Sequence, residues 1–322
     1  MSLKSTKHSL SRSSLWKEAR RSRNWEELAI NLGSRIPIEW GNRLLSPMFC
    51  SERLQSRLFH KTLKRLRKIE AWIDGPVEPK EAVGRHILVH AGMKWRLLSM
   101  GDMSLKRARK FITIEGLEIL EKYRDQQTRI VLINSHFGAY RVVSKILCQS
   151  GFPLTIVTGQ SFGSKLANYE CPLLLTGELL PTQIIRESTR AIETNRILCI
   201  SADGREGNSG IEHNFLGKKR VFRTGFAQLA IKTKAPVIPV FSTVDEYGKV
   251  HIKLHAPLDS GDSTQTKSDR IYALVQQYVK LLEGYWIADP GNIRMGQFRL
   301  LLKDDENLTT RQADSEESSR AA

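Results

Sequence analysis

The sequence is short of several things, and each shortage narrows what the chain can be. No apolar run approaches the roughly 18 residues that a membrane-spanning helix requires, so no span is predicted. The N-terminus is rich in Ser and Arg but lacks the apolar segment of a secretory signal, so no signal peptide is predicted. Cysteines number four (Cys50, Cys148, Cys171 and Cys199). They form no C-x-x-C pair and have no His at ligand spacing, so no metal site is expected. Cys148 and Cys199 sit in apolar runs and read as packing residues of a reducing compartment. No Walker loop or dinucleotide fingerprint occurs. Acidic charge is scarce too: 34 Asp and Glu face 50 Lys and Arg, a formal net charge of +16. Residues 1–68 hold 16 basic and 5 acidic side chains, so the excess is concentrated at the front. Such a charge draws anionic partners: nucleic acid, an anionic membrane surface or an acidic carrier protein. Nucleic acid is the least expected, because no recognition helix, aromatic sheet signature or zinc spacing accompanies the charge.

What is present is organised in four parts. Residues 1–24 are basic and Ser-rich and read as disordered. From 25 to 110 the pattern is helical, with helices expected over Trp25–Gly33, Ser51–Ile73 and Ala82–Leu98. In the second of these Lys61, Lys64, Arg65, Arg67 and Lys68 crowd an apolar stripe. That pattern suits either a surface helix packed on the main domain or a basic helix lying on a membrane. From 111 to 303 strands and helices alternate. Strands are expected at Phe111–Glu115, Ile130–Asn134, Leu154–Thr158, Arg196–Ser201 and Val237–Ser242, and an alternating edge strand at Lys249–His255. Helices are expected at Gly116–Tyr123, Tyr140–Cys148, Thr182–Thr194, Gly225–Lys232 and Asp269–Leu282. The alternation predicts an α/β fold with a mostly parallel central sheet flanked by helices, preceded by the N-terminal helical region. Residues 304–322 read as a disordered acidic tail.

Three stretches carry chemistry. Ile130–Asn134 is a short buried strand that ends at Ser135, His136 and Gly138 and turns at once into a helix. An imidazole is thereby placed at the carboxyl edge of a sheet, where open α/β folds bind ligands, and could take a proton from an attacking hydroxyl. A histidine satisfied by a loop carbonyl would look the same in sequence. The strand Arg196–Ser201 runs into Ala202-Asp203-Gly204-Arg205-Glu206-Gly207, where a guanidinium suits a phosphate. A Gly-rich connection holding a local Asp–Arg pair is the plainer reading. Lys218, Lys219 and Arg220 follow Gly217, and Arg223 precedes the helix at Gly225; they suit an anion or a solvated turn. Pro239, inside an apolar strand, points to an edge, a bulge or a groove-lining strand.

Taken in order, these stretches resemble the lysophospholipid acyltransferase superfamily, in its branch of late lipid A acyltransferases. The resemblance runs from about Phe111 to Leu282. It rests on Ile114-Glu115-Gly116-Leu117-Glu118, His136-Phe137-Gly138, Asp203-Gly204-Arg205, Phe215-Leu216-Gly217, Thr224–Ala230 and Pro236–Val240. It implies transfer of a fatty acyl chain from an acyl carrier protein or coenzyme A thioester to a hydroxyl of a lipid acceptor, a lipid A precursor or a lysophospholipid, with no resident cofactor. In that reading His136 is the general base. Gly138, Arg141, Gly204, Arg205, Lys218, Lys219 and Arg223 bind substrate, and the protein sits peripherally on the cytoplasmic face of a bacterial inner membrane. The superfamily places an acid five residues after the histidine; here that position is Arg141, which accepts no hydrogen bond. Either Asp203 or Glu206 replaces the acid from another strand, or the chain keeps the fold as a catalytically impaired lipid- or carrier-binding protein.

Overall fold

The computed structural model describes residues 105–301, apart from 127, 160–170, 205–208 and 263, together with 303 and scattered positions between 40 and 93. The sequence expectations for 1–24 and 304–322, and most of those for 25–104, lie outside the described residues. Described positions within 53–64 and 82–93 are helical, as the two later N-terminal helices require.

Seven strands form one sheet in the order β1-β9-β8-β2-β5-β3-β4. They are β1 Ile112–Glu115, β2 Ile130–Asn134, β3 Leu154–Thr158, β4 Leu173–Leu175, β5 Ile197–Ser201, β8 Val237–Val244 and β9 Val250–Leu254. From β8 to β4 all pairings are parallel, while β9 runs antiparallel to β8 and parallel to β1. The flanking helices are α1 Leu117–Asp125, α2 Tyr140–Gln149, α3 Pro181–Glu193, α4 Gly225–Thr233 and α5 Lys267–Ala288. A separate antiparallel hairpin joins β6 Gly210–Phe215 to β7 Lys218–Arg223.

Strand β2 is central, and all five of its side chains are buried. Successive strand residues face opposite sides. Val131 and Ile133 therefore join the core under α4 and α5, with Phe226, Phe241, Tyr278 and Trp286. Ile130 and Leu132 join the other core, with Leu120, Val142 and Ile146 of α1 and α2. A β-branched run buried on both faces is what a parallel sheet covered by helices demands.

Three local readings need correction. Lys249–His255 is not an edge, because β9 is paired on both sides. Its alternation arises from one solvated face: Val250, Ile252 and Leu254 are buried while His251 and Lys253 point outward. Pro239 stands in a central strand, just before Val240–Leu254, the first pair of the antiparallel ladder. Its absent N–H is not needed there, and its carbonyl still accepts from His255 N–H at 2.9 Å. Finally, the Lys218-Lys219-Arg220 run is no solvated turn but the start of β7. The turn itself is Leu216-Gly217, both left-handed (φ 55° and 71°), the conformation a two-residue hairpin loop needs. The Leu216 N–H donates to the Glu283 carboxylate at 2.6 Å, which pins the hairpin tip to α5.

Candidate active site

Strands β2 and β5 lie side by side in register, Asn134 opposite Ser201. The Ser201 hydroxyl donates to Asn134 Oδ1 at 2.7 Å, and Ala202 N–H donates to the Asn134 carbonyl at 2.9 Å. Two residues beyond each strand end, His136 and Asp203 therefore meet. Asp203 Oδ1 lies 2.8 Å from His136 Nδ1, and Asp203 Oδ2 accepts the His136 backbone N–H at 2.8 Å. One carboxylate holds both the ring and the chain it hangs from, so the imidazole has little freedom to turn away.

The turn after His136 needs a glycine. Gly138 is left-handed (φ 53°), and a side chain there would run into the Ser242 carbonyl. Its N–H is given to the Asn292 carbonyl at 2.8 Å. Gly138 is thus held tightly by its neighbours and is not among the cleft-lining residues.

Asp203 is 3% exposed. Burial is the largest influence on its carboxyl and pushes the pKa up. The charge and hydrogen bonds of His136 and the charge of Arg220 outweigh it, so the net shift is downward and Asp203 is an anion at neutral pH. A carboxylate only accepts, so Nδ1 carries the proton of that contact, and in the neutral ring Nε2 is then the acceptor. The imidazole is partly exposed, 26% for its side chain, and lines a cleft of about 370 Å³. Tyr278 is buried behind the strand end, stacked on Phe241 with its hydroxyl 3.5 Å from the Asn134 carbonyl. Burial, and then the negative charge of Asp203, raise its pKa well above the ordinary value, so it stays a neutral phenol.

Behind Asp203 stands Arg220, 2% exposed on β7. Its guanidinium lies over the rings of Phe215, Phe222 and Trp286 at 5.4, 4.7 and 5.7 Å. It donates to the Asp203 carbonyl at 3.3 Å and to Gln297 Oε1 at 2.6 Å. A desolvated guanidinium between aromatic faces is a strong cation–π arrangement, and it sets a fixed positive charge beside the carboxylate. Nothing in the Lys-Lys-Arg run singled this residue out. Once β7 is a strand, its alternation does: Arg220 and Phe222 face the interior and their neighbours do not.

The cleft is lined with cations. Arg141, Arg223 and Arg294 reach it, with Gly204 and Gly225 as small floor positions. Of the residues read from sequence, the structure gathers His136, Asp203, Arg141, Gly204 and Arg223. Lys218 and Lys219 are not among the cleft-lining residues, and Lys219 pairs with Glu212 at 3.5 Å. Arg205 and Glu206 lie outside the described residues. Tyr140, Arg294 and Gln297 were missed. Tyr140 is four residues after His136, the spacing that keeps a helical residue on the same side. Arg294 is far along the chain and arrives through a bridge between Phe137 and Ile293, which sequence spacing does not reveal.

An imidazole held by a carboxylate at the carboxyl edge of an α/β sheet is able to exchange a proton with a group in the cleft, and the cations around it are able to hold an anion. The chain belongs to the bacterial lipid A biosynthesis acyltransferase family, whose sequence model matches residues 78–286. It is similar to the phosphatidylinositol mannoside acyltransferase of Mycolicibacterium smegmatis, 29% identical over 247 residues, 70% of this chain and 80% of that protein. It is similar also to the Mycobacterium tuberculosis protein of the same name, 26% identical over 223 residues, 64% and 69% of the two chains. The protein is therefore an acyltransferase that acts on a lipid acceptor. Among the described residues no helix is long and apolar enough to cross a membrane.

Proposed function

We propose that this enzyme moves a fatty acyl chain from an acyl carrier protein or coenzyme A thioester to a hydroxyl of an anionic lipid, with His136 as general base and Asp203 as its partner. The observation that carries the reading is the 2.8 Å contact between His136 Nδ1 and Asp203 Oδ1, which leaves Nε2 in the cleft. The acceptor hydroxyl gives its proton to Nε2 as its oxygen attacks the thioester carbonyl carbon. The carbonyl electrons move to oxygen, and the tetrahedral adduct collapses, breaking the C–S bond. The leaving thiolate takes the proton from the imidazolium, so base and substrates end balanced. Asp203 holds the productive tautomer and offsets the imidazolium charge. The comparable contact in serine proteases is worth roughly ten-thousandfold, about 5 kcal/mol. The position that holds Arg141 left open a catalytically impaired protein; the carboxylate supplied by Asp203 favours turnover instead.

Arg141, Arg223 and Arg294 suit an acceptor with phosphate close to its reactive hydroxyl, whether a lipid A precursor, a lysophospholipid or a mannosylated phosphoinositide of the kind named for the relatives. The basic front of the chain would draw both an acidic carrier and an anionic bilayer, consistent with peripheral attachment at the inner membrane. Radiolabelled acyl transfer from acyl carrier protein to extracted bacterial lipids tests the proposal, comparing wild type with His136→Ala. Near-complete loss in the variant is expected; equal incorporation in both would refute His136 as the base.

A further inference from the structure

The cationic wall of the cleft is built around one phenol. Arg141 Nε donates to the Tyr140 hydroxyl oxygen at 3.0 Å and Arg294 Nη1 donates to the same oxygen at 2.6 Å. Both guanidiniums also lie over the Tyr140 ring, at 5.7 and 5.4 Å. The Tyr140 ring packs against the His136 ring with centroids 4.9 Å apart. The phenol is 8% exposed and lines the cleft.

A phenolic oxygen that accepts from two charged donors has no room for a third, so its own hydrogen must be donated elsewhere. Among the described residues none receives it, and the phenol lines the cleft, where a substrate oxygen can. Two guanidiniums drawing on the oxygen also make that O–H a stronger donor than a solvated tyrosine, because hydrogen bonds in a chain polarise one another. The phenol and the base line the same cleft with their rings packed together, so a thioester bound there can be attacked by a hydroxyl that His136 activates while its carbonyl oxygen meets the phenol.

We infer that Tyr140 is the oxyanion donor of the transfer reaction, its O–H aimed at the thioester carbonyl oxygen by Arg141 and Arg294. The inference rests on the acyl-transfer reading above. As the acceptor oxygen bonds to the carbonyl carbon, the C=O electron pair shifts to oxygen, and the phenol O–H donates to the resulting anion without giving up its proton. When the C–S bond breaks, the carbonyl re-forms and the hydrogen bond weakens. The two guanidiniums offset the transient negative charge through the phenol. This assigns Arg141 a use that an acid at the same position could not serve, since a carboxylate there would accept the phenol hydrogen and turn it away from substrate.

The test is the purified Tyr140→Phe enzyme beside His136→Ala and wild type, with a radiolabelled long-chain acyl thioester of coenzyme A. Transfer to lipid acceptor is measured, as is slow hydrolysis of the donor without acceptor. Phe keeps the ring against His136 and under both guanidiniums and removes only the hydroxyl. Loss of an oxyanion donor costs roughly 10²–10³ in kcat, and we expect that loss in both transfer and hydrolysis, with donor KM unchanged and the fold retained. In a second measurement, replacement of tyrosine by fluorinated tyrosines should make kcat follow the acidity of the phenol. Wild-type kcat and hydrolysis in Tyr140→Phe, with only a raised acceptor KM, would overturn the inference and leave Tyr140 a positioning residue for the two arginines. Failure of the underlying reading shows separately, as full turnover in His136→Ala.

Discussion

Replacing Arg220 by Met tests whether the buried guanidinium serves Asp203 or merely fills space. Met keeps much of the stem's volume within the cage of Phe215, Phe222 and Trp286 and removes the charge and the hydrogen bonds to the Asp203 carbonyl and Gln297. Removing one partner of a buried charge pair costs about 3–5 kcal/mol when the other charge is left uncompensated. Asp203 keeps two hydrogen bonds from His136, so the lower end, about 3 kcal/mol, is expected. In a domain of this size that corresponds to a fall in melting temperature of roughly 6–12 °C. Activity should respond in a distinct way. The positive charge of Arg220 is one of the influences that hold the Asp203 pKa down against burial. Without it the carboxylate takes up a proton at higher pH, so the acid limb of the kcat profile moves upward in pH. Arg220→Lys, which retains charge but not the planar fork, should lose melting temperature and keep the profile near wild type. The assays are thermal unfolding at neutral pH and acyl transfer across pH 4–9. A variant Arg220→Met with unchanged melting temperature and a superimposable profile would refute the reasoning.

Asp203→Asn should lower kcat by about 10⁴-fold with little change in acceptor KM, as read by steady-state transfer. Its stability has a definite sign: the folded pKa is depressed, so the carboxylate stabilises above its unfolded value of about 3.9 and that contribution is lost as pH falls through the folded pKa. The gap in melting temperature between wild type and Asp203→Asn should therefore be full at pH 7 and close in strong acid. Arg223→Gln should raise the KM for an anionic acceptor about tenfold or more, the worth of one charge-assisted hydrogen bond, with kcat within a few-fold; an unchanged KM would remove Arg223 from the acceptor site. His86, 7% exposed, has its pKa lowered to about 4, chiefly by burial. Between pH 6.5 and about 4 the unfolded chain binds a proton there that the folded one refuses, so stability should drop by about 3 kcal/mol across that window. His86→Gln should flatten the pH dependence of urea unfolding.

The fold was readable where pattern and burial agree. Ile130–Asn134 is apolar throughout because both faces of β2 are covered, and its ending at His136 marks the edge where the site lies. The hairpin of β6 and β7 was harder, because Leu216 adopts a left-handed conformation that its residue type disfavours, and Lys218 and Lys219 suggest solvent. Strand β4 has three residues inside an irregular stretch, too few for a period. Within the site, Asp203 could be paired with His136 only as one alternative, since sequence does not fix which strands are neighbours. Arg220 was hidden because a lone Arg among cations reads as surface. Arg294 was hidden because its approach depends on the Phe137–Ile293 bridge, a contact across more than 150 residues that no spacing encodes.

The central claim is that the His136 ring, fixed by Asp203, takes the acceptor's proton. Single-turnover consumption of a labelled acyl thioester in the presence of lipid acceptor measures that step without interference from product release. The account predicts a fall of at least 10²-fold, the usual worth of a general base, in His136→Ala, with acceptor binding retained. A His136→Ala enzyme that consumes the thioester at the wild-type rate would contradict it.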